Sequence, residues 1–249
     1  EVICEQKGRI NMLEVTLSQG KVYQLPTRSP VQLVSGRGTY GNGSIDWEQE
    51  GLTIAEIIAQ VPDAPEGILA ALVNGRLLEV ERFVSHNCII EWVTAADELG
   101  RAMLTRSGIF LLAYGLSSLH RGYQRLGGGV REAGLCYYDF LPPADGVSEQ
   151  DLAACRRAVA QAVASGEPIK AKKLAYYPAV DYFEQLGEAD ILRRIEENDD
   201  GGAVSVQMWQ DFAELDTGML VKDLRWLEQF QVLSLEQAGA VCRLTGKLP

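Results

Sequence analysis

Apolar and polar positions alternate along residues 13–17, where Leu13, Val15 and Leu17 are separated by Glu14 and Thr16, and the chain turns apolar again over 22–25 after Ser18-Gln19-Gly20. Alternation with a period of two puts successive side chains on opposite faces, so these stretches predict a β-hairpin with a glycine-containing turn. Pro26 and Pro30 interrupt the pattern, and residues 31–34 and 45–47 read as a second hairpin-like pair. Over 52–59 the spacing changes to that of an amphipathic helix, with Thr53 placed to cap it and Glu56 three residues later as its capping-box partner. Pro62 and Pro65 end it. Asn74-Gly75 between apolar flanks predicts a tight hairpin over 72–78, and 88–93 reads as a last strand. A small sheet wrapped on one helix accounts for residues 10–94, with 95–100 as a link.

The second half begins with the longest helical pattern, 98–121, in which Leu99, Met103, Ile109, Leu112, Leu116 and Leu119 fall near one face. The glycine-rich stretch 126–130 leads to an apolar strand at 135–140, and Ser148 caps a helix that runs to about 164. A short strand at 169–174, helices at 177–185 and 188–195, a turn at 198–202, and strands at 230–233 and 240–244 complete the series. Strands and helices do not alternate as βαβ units, so the expected class is α+β.

Composition narrows the chemistry. The 249 residues include 34 acids and 23 bases, a net charge of −11 that disfavours broad, non-specific binding to a phosphate backbone. Basic residues do gather at Arg156, Arg157, Lys170, Lys172, Lys173, Arg193 and Arg194, a pattern that solvated helix faces also produce. The five cysteines are scattered and odd in number, and the two histidines are His86 and His120. No Cys-x-x-Cys or Cys/His spacing is present, so no metal site and no disulfide framework are expected, and a reducing, cytoplasmic setting is. No apolar run reaches the roughly 20 residues that span a bilayer, so no membrane partner is expected.

Two short motifs suggest more than they carry. Gly36, Gly38 and Gly41 spell G-x-G-x-x-G, but a strand-like segment follows where a dinucleotide loop would open a helix, so the stretch reads as a hairpin tip. Asp216-Thr217-Gly218 is the aspartic-protease triplet, yet that chemistry needs two such aspartates and only one is present. No phosphate-binding G-x-x-x-x-G-K-[ST] occurs, and Thr245-Gly246-Lys247 is only a fragment of one.

The residues of the first half resemble a TGS domain, the ubiquitin-like fold of threonyl-tRNA synthetases: Leu17-Ser-Gln-Gly-Lys21 in the first turn, Leu52-Thr-Ile-Ala-Glu-Ile57 on the helix, and Val73-Asn-Gly-Arg-Leu77 in the second hairpin. The second half resembles the synthetase editing domain through Arg106-Ser107, Gly134-Leu-Cys-Tyr-Tyr-Asp139, Ser148-Glu-Gln-Asp-Leu152 and Ile169-Lys-Ala-Lys-Lys173. The resemblance implies a ubiquitin-like β-grasp domain over 1–95, with an insertion at about 28–51, and a degenerate editing-like α+β domain over 96–249. The family's His-x-x-x-His falls here on Arg106 and Phe110, and its Cys-x-x-x-His on Asp216 and Leu220. Phe and Leu neither ligate metal nor move protons, so the resemblance implies lost editing chemistry and no cofactor.

Uridine kinase-like bacterial nucleoside kinases carry the same pair of domains and also lack the editing histidines. The expectation is therefore a non-catalytic ligand-binding or regulatory module at the front of such a kinase, with a downstream kinase domain, a nucleotide or tRNA as partner. Its candidate pocket comprises Arg106, Ser107, Phe110, Tyr137 and Asp216. The alternatives are an aminoacyl-tRNA editing hydrolase working through Asp216 and a protein-interaction scaffold.

Overall fold

The computed structural model describes residues 11–27, 51–120, 122–132, 134–197 and 202–248. The glycine loop 35–44, the hairpin expected at 31–47 and most of the turn at 198–202 lie outside the described residues. The chain divides into two compact units at Asp97/Glu98. Both are mixtures of strands and helices without a regular βαβ repeat, an α+β architecture.

In the first unit, β1 (Met12–Leu17) and β2 (Val22–Pro26) form the expected hairpin, and the short β3 (Leu52–Thr53) leads into α1 (Ile54–Gln60). The hydroxyl of Thr53 accepts from the Glu56 amide while the Glu56 carboxylate accepts from the Thr53 amide, so the capping box read from sequence is present. Next come β4 (Ile68–Val73), β5 (Arg76–Glu79), the two-residue β6 (Phe83–Val84) and β7 (Cys88–Thr94). The sheet order is β2-β1-β7-β4-β5, with β1 and β7 parallel and the other pairs antiparallel. Alternate residues Leu13, Val15 and Leu17 face Ile54 and Ile57 of α1, and all five are at least 97% buried. Asn74 (φ 50°) and Gly75 (φ 78°) hold the left-handed backbone that a two-residue hairpin turn requires.

The second unit is organised around α2 (Glu98–Ser117). One sheet, ordered β13-β14-β9-β8, consists of β8 (Gln124–Glu132), β9 (Leu135–Leu141), β13 (Gln231–Ala238) and β14 (Val241–Lys247). A second, ordered β10-β11-β12, consists of β10 (Lys170–Ala175), β11 (Ala203–Trp209) and β12 (Phe212–Leu215). Helix α3 (Glu149–Ser165) packs on α2, and α4 (Tyr176–Gln185) and α5 (Ala189–Glu197) cover one face of the second sheet, with Phe183, Ile191, Ile195, Val206 and Ala213 as the core between them. Ser148 and Asp151 form a second capping box at the start of α3.

Two sequence expectations change, and one stretch gains an element. Helix α2 is not buried along one stripe: Leu99 is exposed, whereas Met103, Ser107, Gly108, Phe110, Leu111, Leu112, Gly115 and Leu116 are all buried. It is covered from several sides, so its polarity cannot segregate to one face. Glycines permit this approach: Cβ atoms at Gly108 and Gly115 would lie 2.8 Å from the Phe230 ring and 3.2 Å from Val159 of α3. The glycine run 126–130, to which the sequence reading gave no element, is the middle of β8. A side chain at Gly128 would come within 2.3 Å of Ile109 on α2, so the glycines let the helix rest on the strand. Finally, α2 ends at Ser117 rather than 121, and His120 (φ 50°) leaves it with left-handed backbone.

Candidate functional site

The first half of α2 presents Arg106, Ser107 and Phe110 to the segment that leaves β12, residues 216–221. Ser107 is completely buried; its hydroxyl donates to the Met103 carbonyl at 2.8 Å and accepts from the Val221 amide at 2.9 Å. This pair of bonds ties the segment to the helix, and complete burial keeps the Ser107 oxygen away from any ligand. Phe110, 3% exposed, sits edge-on to Phe212 with ring centroids 5.1 Å apart, and Leu220 is 5% exposed. Two of the four positions that the sequence analysis matched to the editing motifs are therefore packed hydrophobic residues.

The other two are polar and accessible. Asp216 is exposed, and its Oδ1 accepts from the Gly218 amide (2.7 Å) and from Nε2 of Gln207 (3.1 Å), a side chain that is itself buried. Gly218 has φ 118°, a conformation that favours glycine, and a Cβ there would lie 3.4 Å from the Arg106 guanidinium. Arg106 and Asp216 thus flank the same glycine without pairing. The half-buried Arg106 makes no hydrogen bond or ion pair with the described residues. A guanidinium left without a carboxylate is suited to an anion such as a carboxylate or phosphate.

Tyr137 is not part of this group. It lies on the face of β9 opposite Tyr138, its phenol lies close against Gly129, and the Arg243 guanidinium stacks 4.0 Å from its ring while pairing with Asp139. Tyr138 faces inward instead, 1% exposed, with its hydroxyl donating to Glu214 at 2.6 Å. Alternation along a strand required one tyrosine on each face, and the pairing with Glu214 decides which.

Glu214 is the centre of a charge network that the sequence reading missed. Its carboxylate accepts from Tyr138, from Arg125 (3.1 Å), from Arg194 (3.2 Å) and from the Leu215 amide (3.0 Å). Arg125 is 2% exposed; it also pairs with Glu188 at 2.7 Å, donates to the Ala213 carbonyl at 3.0 Å, and stands 4.9 Å from the Phe212 ring centroid. Burial pushes the guanidinium towards losing its proton, but the carboxylates of Glu214 and Glu188 outweigh it and hold the pKa above the ordinary value. Burial, then the Glu214 charge, raises the Tyr138 phenol well above the usual range, so it stays a donor. The members come from β8, β9, β12, α5 and the turn before α5. No periodicity connects them; the one available signal was an arginine at the start of an apolar, glycine-rich strand.

The residues present do not fit a metal: among the described residues no group of three or more His, Cys, Asp or Glu side chains converges on one point. Cys136 and Cys155 are completely buried, and burial pushes both thiols up to about 12, so neither is a ready nucleophile. Among the described residues no helix is long and apolar enough to cross a membrane.

No family model matches the chain. It is similar to threonine–tRNA ligases: 32% identical to that of Polaromonas naphthalenivorans over 196 residues, 77% of this chain and 30% of the relative. The corresponding values are 27% over 206 residues, or 81% and 31%, for Paraburkholderia phytofirmans, and 30% over 192 residues, or 77% and 29%, for Methylococcus capsulatus. The chain thus spans about 30% of the length of these curated relatives, and the similarity runs across most of its own.

Proposed function

We propose that this chain is a threonyl-tRNA synthetase-type module, a ubiquitin-like unit followed by an editing-like unit, that recognises the anionic end of a tRNA without hydrolysing an ester through the four editing positions. The observation that carries this reading is the unpaired Arg106 guanidinium beside Gly218 and Asp216, flanked by Phe110 and Leu220, which are packed hydrophobic residues. An anion can be held there, while imidazole and thiolate chemistry has no side chains to perform it. The relatives above bear the synthetase name, which favours a tRNA context over the nucleoside-kinase context.

The test is a titration with deacylated tRNA at low and moderate salt, paired with a deacylation assay on aminoacyl-tRNA. Binding should weaken as salt rises, and Arg106→Ala should weaken it about tenfold, the value of one charge-assisted contact. Absence of tRNA binding would overturn the recognition role.

A second reading rests on Asp216, whose Oδ1 takes both of its hydrogen bonds from the described residues while Oδ2 takes none. A carboxylate with one free oxygen can accept a proton from water, which would make the unit a hydrolase independent of histidine. Release of the amino acid above the uncatalysed rate, abolished by Asp216→Asn, would select that reading; a rate equal to buffer would select the non-hydrolytic one.

A further inference from the structure

A different cleft lies at the other end of α2. Its residues start at Tyr114 and reach His120, so at 1.5 Å per residue they begin about 12 Å along the helix from Arg106. Two cavities, of about 400 Å³ and 370 Å³, share Ser117, His120, Arg125, Leu186 and Glu188 in their walls. They are two lobes of one cleft divided by the Arg125–Glu188 ion pair. Its size is that of a site for a small organic molecule.

The second lobe combines an aromatic wall with polar groups that have no protein partner. Tyr114, Trp209 and Phe212 form the wall, with Tyr114 edge-on to both of the others at 4.8 and 5.7 Å. Trp209 donates to the Glu167 carbonyl, so its ring is fixed. Among the described residues, by contrast, the Tyr114 hydroxyl, the His120 imidazole and the Asp211 carboxylate take part in no hydrogen bond or ion pair. His120 (φ 50°) and Gln210 (φ 51°) are two of the three described non-glycine residues with left-handed backbone, and both line this lobe. Gln210, like Asn74, lies in a two-residue hairpin turn, here between β11 and β12, and His120 follows the last turn of α2.

Charge selects the ligand. Arg125 and Arg194 are matched by Glu188 and Glu214, which among the described residues leaves Asp211 as the unbalanced charge of the lobe. In the neighbouring lobe the Oδ2 of Asp190 is buried with no hydrogen-bond partner while its Oδ1 pairs with Arg193. Spare acceptors and aromatic rings around a surplus negative charge are the surroundings that favour an ammonium group. We propose that this cleft binds a small organic ammonium ion, with Asp211 as counter-ion, the Tyr114 oxygen as acceptor and the ring wall against its carbon body. The site is separate from Arg106 and does not depend on the tRNA reading.

The chain's two histidines supply the readout. The ring resonances of His120 and His86 are followed by NMR in the full chain, the His86→Gln variant giving the assignment, during titration with n-butylamine at constant ionic strength. His120 should shift saturably while His86 stays still; n-butanol, neutral and of the same shape, and butyrate, anionic, should bind at least about tenfold more weakly, the value of one charged hydrogen bond. Asp211→Asn should weaken n-butylamine about tenfold, and Tyr114→Phe, which keeps the ring, should weaken it a few-fold. Equal shifts at both histidines, equal binding of the alcohol, or unchanged affinity in both variants would overturn the proposal.

Discussion

Replacing Arg125 by Met keeps an apolar stem of similar length in β8 but removes the cation from the centre of the second unit. The guanidinium is 2% exposed and contacts three partners: Glu188 at 2.7 Å, Glu214 at 3.1 Å and the Ala213 carbonyl at 3.0 Å. Its loss leaves Glu214, with a side chain only 8% exposed, relying on Arg194 for charge and on Tyr138 and the Leu215 amide for hydrogen bonds. Glu188, at 19%, can reach water. Breaking one side of a buried pair costs about 3–5 kcal/mol because the remaining charge is stranded. The surviving Arg194 contact places this case near the lower end, about 3 kcal/mol. For a unit of this size that corresponds to a fall in melting temperature of about 6–12 °C.

The assay is urea unfolding followed separately in each unit, because two compact units need not unfold together. Near-ultraviolet signals from Trp209 and Trp226 report on the second unit and Trp92 on the first. A double-mutant cycle with Glu214→Leu then isolates the pair: the double variant should be less destabilised than the sum of the singles by about 1–3 kcal/mol, since no charge is stranded. A cost below about 1 kcal/mol for Arg125→Met, or strict additivity, would show that the network is solvated and that the reasoning from burial fails.

Three further outcomes follow from single features. Thr53→Ala removes the hydroxyl that caps α1 and should destabilise the first unit by about 1 kcal/mol, read from its own unfolding transition, with the second unit unchanged. Gly51→Ala should cost more than that, because φ is 126° and a Cβ would stand 2.3 Å from the Val84 carbonyl oxygen; a variant as stable as the parent would refute the close approach. Cys136 and Cys155 keep their protons in the folded state up to about pH 12, whereas an exposed thiol ionises near 9. Between those values the unfolded chain binds fewer protons, so stability should be full below pH 9 and fall as pH rises towards 12, and Cys→Ala variants should flatten that fall.

The local elements were legible wherever one short-range rule dominated. Alternation in 13–17, the Asn74-Gly75 turn and the two capping boxes at Thr53/Glu56 and Ser148/Asp151 depend on neighbours three or four residues apart, and each is present. The glycine run in β8 went unassigned because glycine in a strand interior is unusual. Here its missing side chains admit Ile109 and the Tyr137 ring. Strand β12 went unread because its four residues, Phe212 to Leu215, carry no period of their own and exist through pairing with β11.

Sequence by itself determined that Phe110 and Leu220 can neither ligate a metal nor move a proton, whatever the fold. It also determined the α+β class and where the longest helix begins, because hydrophobic period and caps are local properties. Tertiary structure alone decided that Tyr138 rather than Tyr137 faces inward, that Ser107 ties residue 221 to α2, and that Arg106 has no partner among the described residues. The reason is physical: burial and charge pairing join residues such as 125, 138, 188, 194 and 214 across strands and helices, and the energy of each group depends on which others surround it.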